Sequence, residues 1–283
     1  MQLVCPACAR ATVHRKLYEK NSCDILQCST CGLGRAECRS FDVRSYYTED
    51  YFSGGRADGY SDYLGSEPVL RREFARTVRF IRRLRDGGRL LEIGCAYGFF
   101  LEEAQCFFKV AGIEIADTAV ASCRARGLTV INGVAEDSTL GELGMFDVIV
   151  LLDVIEHLPD PRSTLALCRQ HLKPAGIIVI TTGDFASFYA RVSGRNWRLM
   201  TPPQHLWFFT RECMRRLSRS LGFQVEVCDH PWKVVPLALI QFQIRRLLGA
   251  SSITSSVLAN RIGLPVNLFD AMRCVLRKPD ISR

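Results

Sequence analysis

The sequence predicts an α/β protein, a mostly parallel sheet with helices on both faces, preceded by a small metal-binding module. Three observations carry this. Residues 89–108 read as strand, glycine-rich turn and helix, the opening unit of a nucleotide-binding α/β domain. Residues 146–153 form a near-continuous apolar run, as a central parallel strand buried on both faces should. Two Cys-x2-Cys pairs lie within the first 31 residues.

Composition sets the frame for these elements. With 283 residues the chain can bury one full α/β core and still carry an appendage. Its 48% hydrophobic and 23% charged residues exclude general disorder. A formal charge of +8 suits acidic partners such as nucleic acid, anionic lipid or phosphorylated small molecules, although a solvated basic surface is the stronger account of it. No stretch approaches the roughly 20 apolar residues of a membrane span, and the first residues lack a signal-peptide apolar region. A cytoplasmic location is the expectation. The 13 cysteines are expected to be reduced thiols, because disulfide frameworks belong to short exported domains.

Residues 1–40 are expected to form a zinc ribbon. Cys5 and Cys8 are separated from Cys28 and Cys31 by nineteen residues, the spacing of a four-thiolate site. Gly32 suits the tight knuckle after the second pair. Four protein ligands close a zinc site, so this Zn2+ would be structural. Cys23, Cys38 and His14 have no paired spacing and fall outside it. Residues 41–67 interleave Tyr46, Tyr47, Tyr51, Phe52, Tyr60 and Tyr63 with small polar residues, as a linker or as a lid over a pocket.

The larger domain should run from 68 to 283. A helix over 68–85 carries Leu70, Phe74, Val78, Ile81 and Leu84 at helical spacing. A short buried strand follows at 89–93, then the turn Gly94-Cys95-Ala96-Tyr97-Gly98 and a helix from Phe99 to about 108. A dinucleotide fingerprint would need a glycine where Phe99 stands, and no lysine follows as in a P-loop. The run Leu90-Leu91-Glu92-Ile93-Gly94-Cys95-Ala96-Tyr97-Gly98 instead resembles the first motif of class I S-adenosylmethionine-dependent methyltransferases. The resemblance implies a Rossmann-like, seven-stranded sheet and S-adenosylmethionine as cofactor. It implies that Gly94, Ala96 and Gly98 lie against the methionine part of that cofactor and that Glu92 helps hold its amino group. Ala96 departs from the motif, which has glycine there.

A second strand over 110–114 ends in Glu114, twenty residues after Gly94 and followed by Ile115. A carboxylate at that tip can accept hydrogen bonds from vicinal ribose hydroxyls. Asp117 is the expected N-cap of a helix over 118–126, and 128–132 should be a third strand. In the resembled family the next loop supplies a polar residue near adenine, a place that Ala135, Glu136 and Asp137 occupy; Glu136 is the favoured one, and both acids could equally be solvated loop residues. After the fourth strand, Val154-Ile155-Glu156-His157-Leu158-Pro159-Asp160-Pro161 is similar to the post-strand motif of one large methyltransferase group. This puts Asp153 and His157 at the carboxyl end of the sheet, where ligands bind. A helix over 162–171 and a strand over 177–182 keep the family's order.

Methyl transfer is an in-line displacement that needs alignment above all. A general base would assist a hydroxyl or amine acceptor, and Asp153, His157 and His205 are the candidates. The segment from Asn196 to Phe209, with Pro202-Pro203-Gln204-His205, also resembles that group and would border the acceptor. Residues 210–221 should form a helix and 224–227 and 272–277 the closing strand pair. About forty residues intervene, expected to be a helical insertion at about 232–268. Leu237, Ile240, Ile244, Leu247 and Leu248 form one stripe of a helix at 234–248, beside Arg245 and Arg246. Such a stripe can cover the chain's own core or lie on an anionic membrane surface. The leading expectation is methyl transfer to a small-molecule acceptor: a sugar, a lipid-linked glycan precursor or a secondary metabolite. An RNA methyltransferase that uses the ribbon on nucleic acid, and a non-catalytic cofactor-binding protein, are the alternatives.

Overall fold

The computed structural model describes residues 1–39, 52, 62–247 and 257–280. Four antiparallel strands open the chain: β1 (Gln2–Cys5), β2 (Arg10–Lys20), β3 (Cys23–Cys28) and β4 (Gly34–Cys38). The turn after the second cysteine pair places Gly32 at φ +77°, a conformation open to glycine without strain. One expectation fails here. Cys23 and Cys38 lie directly opposite each other on β3 and β4, with Cα atoms 4.3 Å apart, and form a disulfide. Cross-strand register brings them together, which residue spacing alone does not show.

Behind α1 (Glu67–Leu84) come β5 (Arg89–Ile93), α2 (Phe99–Ala104), β6 (Lys109–Glu114), α3 (Asp117–Ala125), β7 (Val130–Asn132), α4 (Asp137–Leu143) and β8 (Phe146–Leu152). Then follow α5 (Pro161–Gln170), β9 (Leu172–Gly183), α6 (Phe188–Ser193), β10 (Trp207–Phe208), α7 (Arg211–Ser220) and β11 (Gln224–Asp229). With β14 (Ala271–Arg277) these build one seven-stranded sheet in the order β11-β14-β9-β8-β5-β6-β7. Five strands are parallel, and β14 runs antiparallel to both neighbours. The α2 helix is shorter than expected, ending at Ala104, and the N-cap of α3 is Ala116. Asp117 is already helical, its carboxylate accepting from Asn132 Nδ2 at 2.8 Å.

Alternation along the strands feeds two cores. Leu90, Val148, Val150, Val179 and Val275 pack against Val78 and Ile81 of α1, Phe100 of α2 and Val120 of α3. Leu91, Ile93, Ile149, Leu151 and Ile180 pack on the other face against Leu140 of α4, Leu165 of α5 and Leu217 of α7. The N-terminal strands share that second core, where Cys5, Ala7, Cys28, Cys31 and Leu33 join it. β4 also pairs with β10, giving a five-stranded sheet that crosses from one part of the chain to the other. Gly34 permits this: a Cβ there would sit 2.9 Å from Phe208 Cβ.

The stretch between β11 and β14 is only partly helical. β12 (Lys233–Pro236) and β13 (Gly263–Val266) form a two-stranded ribbon carrying α8 (Leu237–Leu247) and α9 (Val257–Arg261). Residues 233–236 are therefore strand where a helix was expected, because the β-branched pair Val234-Val235 finds a partner strand about thirty residues on. The side chains of Arg245, Arg246 and Leu247, and the whole of Leu248, lie outside the described residues, as do Tyr46, Tyr47, Tyr51 and Tyr60. Among the described residues no helix is long and apolar enough to cross a membrane.

Candidate functional site

The carboxyl ends of β5, β6, β8 and β9 open into one cavity of about 1080 Å³, roofed by residues from 233–244 and 266–268. That volume is at the upper end of ordinary ligand pockets, roughly 300–1000 Å³, and leaves room for a cofactor and an acceptor together.

At one end lies the glycine turn. Gly94 (φ +73°) and Ala96 (φ +45°) are both left-handed, which brings the backbone itself to the cavity wall. A Cβ on Gly94 would meet Val154 Cγ2 at 2.6 Å. Gly98 plays a different part. It is the N-cap of α2, away from the cavity lining, and a side chain there would strike Leu128 Cδ1 at 2.6 Å. Glu92 lines the cavity while only 3% exposed, and its Oε2 has no hydrogen-bond partner. Burial, then the neighbouring Cys123 and Glu114, push its carboxyl well above the usual range. A buried unpaired carboxyl beside exposed backbone is costly unless a ligand cation completes it.

Glu114 and Ile115 also line the cavity. The Glu114 carboxylate accepts from the backbone N–H of Ala96 (2.8 Å), Ile115 (2.8 Å) and Ala116 (2.9 Å). Burial nevertheless holds its carboxyl above the usual range. Three of its roughly four lone-pair directions are taken, so it retains capacity for about one hydroxyl. Ile115 commits its N–H to that carboxylate. Glu136 is not brought to the site: it is the exposed N-cap residue of α4, accepts from Ser138 Oγ, and leaves Gly133, Val134 and Ala135 to line the wall. Phe52 and Tyr63 close the same end, edge-on to each other and packed on Tyr97 and Phe99.

At the other end stand Asp153, His157 and His205. Asp153 adopts φ +55°, fixed by its N–H donating to both the carbonyl and the hydroxyl of Thr181. Lys233 of β12 donates to both its carboxylate oxygens at 3.1 and 2.8 Å. Burial works to raise this carboxyl, but the Lys233 ammonium and the Thr181 hydroxyl outweigh it and hold it below the usual range. The imidazoles of His157 and His205 meet edge to face with ring centres 4.6 Å apart. His157 Nδ1 donates to the Gln204 carbonyl at 2.9 Å and His205 Nδ1 to the Leu199 carbonyl at 2.7 Å. A carbonyl can only accept, so each neutral ring carries its lone pair on Nε2. Burial pushes His157 down to about 4, and burial with the neighbouring His157 pushes His205 down to about 3. None of the three residues expected as bases therefore has the proton affinity of a neutral-pH base.

Sequence reasoning missed four contributors. Glu156 is buried with Oε2 unpartnered, and burial together with Asp153 raises its carboxyl to about 8. Lys233 comes from the unexpected strand β12. Asp270 clamps Arg198 through Nε and Nη2 and accepts from Trp197 Nε1, fixing the floor under His205. Glu73 of α1 accepts from Val234 N and ties the roof to the domain. Only Glu156 had a signal, an acid between apolar residues just beyond a buried strand.

The four thiol sulfurs of Cys5, Cys8, Cys28 and Cys31 lie within 4.8 Å of one another, with Cys5 and Cys31 at 3.6 Å. Four sulfurs about 2.3 Å from one tetrahedral ion would stand roughly 3.8 Å apart, so these residues fit a Zn2+ ion.

Comparison with known proteins places this geometry. The methyltransferase domain family matches residues 69–227. The ubiquinone biosynthesis O-methyltransferase of Cereibacter sphaeroides is 35% identical over 150 residues, covering 48% of this chain and 60% of that protein. That of Aromatoleum aromaticum is 29% identical over 151 residues, or 49% of this chain and 64% of that protein. The chain thus spans less than two thirds of the length of these relatives. Among solved structures, a SAM-dependent methyltransferase from Archaeoglobus fulgidus superposes with a TM-score of 0.53 at 20% identity, covering 84% of this chain and 100% of that one. Magnesium protoporphyrin IX methyltransferase from Synechocystis, with bound SAH, gives 0.53 at 14% identity over 83% and 98%. The expected Rossmann-like seven-stranded fold is thereby borne out, and the chain belongs to the methyltransferase domain family.

Proposed function

We propose that this protein transfers the methyl group of S-adenosylmethionine to a hydroxyl oxygen of a small-molecule acceptor with a substantial apolar surface. One observation carries the reading: a single cavity joins a buried, unpartnered carboxyl beside a left-handed glycine turn to a chamber roofed largely by apolar side chains. When bound, S-adenosylmethionine supplies an electrophilic methyl on a sulfonium. The chain's own residues orient and exclude water. Glu92 takes the ammonium group, Glu114 accepts from the ribose, and Phe52 and Tyr63 act as a lid at that end.

The acceptor end is lined by Leu239, Ile240 and Phe242 of α8, with Val235 and Leu268. These apolar side chains favour an aromatic or lipid-linked acceptor, with Lys233, Gln243 and Asn267 of the same segment available to its polar groups. Oxygen as the methyl-accepting atom agrees with the O-methyltransferase relatives. In the described part of the stripe, Leu237 and Ile240 are half-buried and Ile244 is exposed.

Calorimetry with S-adenosylmethionine and with its demethylated product tests the cofactor half. Isotope transfer from methyl-labelled cofactor to a panel of phenols with and without alkyl chains tests the acceptor half. Micromolar cofactor affinity and labelling that rises with chain length are expected; no affinity for either nucleoside would remove the proposal. The ribbon is proposed to hold structural Zn2+. Because its cysteines share a core with Phe209, Met214 and Leu217, chelation should lower the melting temperature of the whole chain, and an unchanged melt would count against the metal.

A further inference from the structure

A hydroxyl that gains a methyl group must lose a proton, and the three residues first expected to take it, Asp153, His157 and His205, hold protons too weakly near neutral pH. One carboxyl in the same chamber is placed otherwise. We propose that Glu156 is the catalytic base, its carboxylate taking the proton of the acceptor hydroxyl as the methyl group is transferred. This role deepens the methyltransferase reading above and rests on it.

Glu156 follows the central strand β8 and lines the acceptor end of the cavity, with a carboxylate oxygen within 4.8 Å of a ring nitrogen of His157 and of His205. Its place is fixed through the backbone. The Glu156 carbonyl accepts from Leu206 N at 2.9 Å, and the short turn Ile155–His157 that carries it packs on β9 and β10. The residue is 4% exposed and its Oε2 has no hydrogen-bond partner, so a hydroxyl arriving there meets no competing donor on that oxygen.

Two carboxyl groups on one turn divide the work. Asp153 stays ionised because Lys233 donates to both of its oxygens. Burial and that neighbouring negative charge raise Glu156 to about 8, against the opposing pulls of the Thr182 hydroxyl on β9 and of Lys233. The other titratable or charged groups on this side of the cavity are His157 on the same turn and Arg198 and His205 from 196–206. Arg198 is paired with Asp270, both imidazoles are neutral, and β10 adds only Trp207 and Phe208. With a value near 8, about a tenth of Glu156 is ionised at pH 7, and that fraction binds a proton strongly enough to help a phenolic hydroxyl near 10. In the step the O–H bond breaks and its proton passes to Glu156. An oxygen electron pair forms the bond to the methyl carbon, and the carbon–sulfur bond breaks with its pair left on sulfur. Glu156 then returns the proton to water.

The full chain, with saturating S-adenosylmethionine and two alkyl-substituted phenols, tests this. One phenol has ordinary acidity; the other carries a nitro group and is already ionised at the assay pH. Transfer to the ordinary phenol should rise with pH and level off above about 8, because the ionised carboxyl is the active form. Glu156→Gln keeps the shape of the protonated side chain. It should lower kcat for that phenol roughly 10²–10⁴-fold, remove the levelling near 8, and leave KM and cofactor affinity near their wild-type values. Transfer to the nitrophenol, which has no proton to lose, should stay within a few-fold of wild type. Equal loss with both phenols would show that Glu156 only holds the shape of the site, and loss with neither would show that another group takes the proton; each overturns the role. Should the variant fail to bind cofactor, the wild type decides: a pH limb that stays near 8 for phenols of different acidity supports the base, and one that follows the phenol overturns it. Cofactor calorimetry separates the two ideas. Binding with a pH profile that Glu156→Gln leaves unchanged defeats the base alone, and absent binding defeats the methyltransferase reading.

Discussion

Asp147 and Glu92 are buried carboxyl groups on neighbouring strands, β8 and β5, near opposite ends of one sheet, and their surroundings are reversed. Asp147, 4% exposed, is fully met: Arg85 Nη2 at 2.7 Å, the N–H of Arg89 at 2.9 Å and Lys173 Nζ at 2.7 Å. Burial alone would raise it, but Lys173, that N–H and Arg85 win and hold it at about 2. Glu92 has no such company and is pushed upward. At the amino ends of the strands the chain satisfies its own charge and gains stability. At the carboxyl end of β5 it leaves the Glu92 carboxyl without a partner, a place that a ligand cation can complete.

The largest expected effect breaks the carboxyl-end half of this contrast. Glu92→Gln removes an ionic partner of the cofactor's ammonium, worth about 2–3 kcal/mol, so cofactor affinity should fall roughly 100-fold by calorimetry. The melting temperature should stay within a few degrees, because no intramolecular bond to Oε2 is lost. Equal affinity in wild type and variant would show that this carboxyl is merely a tolerated burial.

Asp147→Asn should do the reverse. Its carboxyl is held at about 2 in the fold, below the roughly 3.9 of an unfolded chain. The linked stability, about 2 kcal/mol, is therefore complete above about pH 5 and is lost as pH falls through 4 towards 2. Denaturant titration of the variant should show that loss at pH 7 and a flatter decline on acidification, with cofactor affinity unchanged. A variant as stable as wild type at pH 7, or with the same acid slope, would remove the amino-end argument.

The sequence made one half of this contrast far more legible than the other. The parallel strands announce themselves as apolar runs, and the turn at Gly94 and the acid at Glu114 stand at spacings that chain geometry dictates. Pairings between distant segments leave no such mark. β10 is two residues long, too short for a period, yet it joins the N-terminal strands to the wall beside His205. The Cys23–Cys38 bridge depends on register, and Lys233 reaches Asp153 only because β12 finds β13. Glu136 illustrates the opposite error. A residue placed by family order alone lies exposed at the start of α4, its side chain making no cap hydrogen bond, while its neighbours Gly133, Val134 and Ala135 line the cavity.

The smallest effect sharpens the contrast within the turn itself. Ala96 is held at φ +45°, where an alanine is strained by roughly 1 kcal/mol relative to glycine. Nothing in its own packing demands this, since its hydrogen bonds, N–H to Glu114 and carbonyl from Cys123, are made by backbone and survive the loss of a methyl. Ala96→Gly should therefore raise stability by up to about 1 kcal/mol, less whatever the methyl's burial against its neighbours contributes. Denaturant midpoints measured with and without saturating cofactor would locate the strain. A gain in the free protein that shrinks on binding means that the ligand leans on the methyl and the wild type is preorganised for it. A lower midpoint in both states would mean that Ala96 is packed for stability, and that the carboxyl end keeps less strain in reserve than the left-handed angle implies.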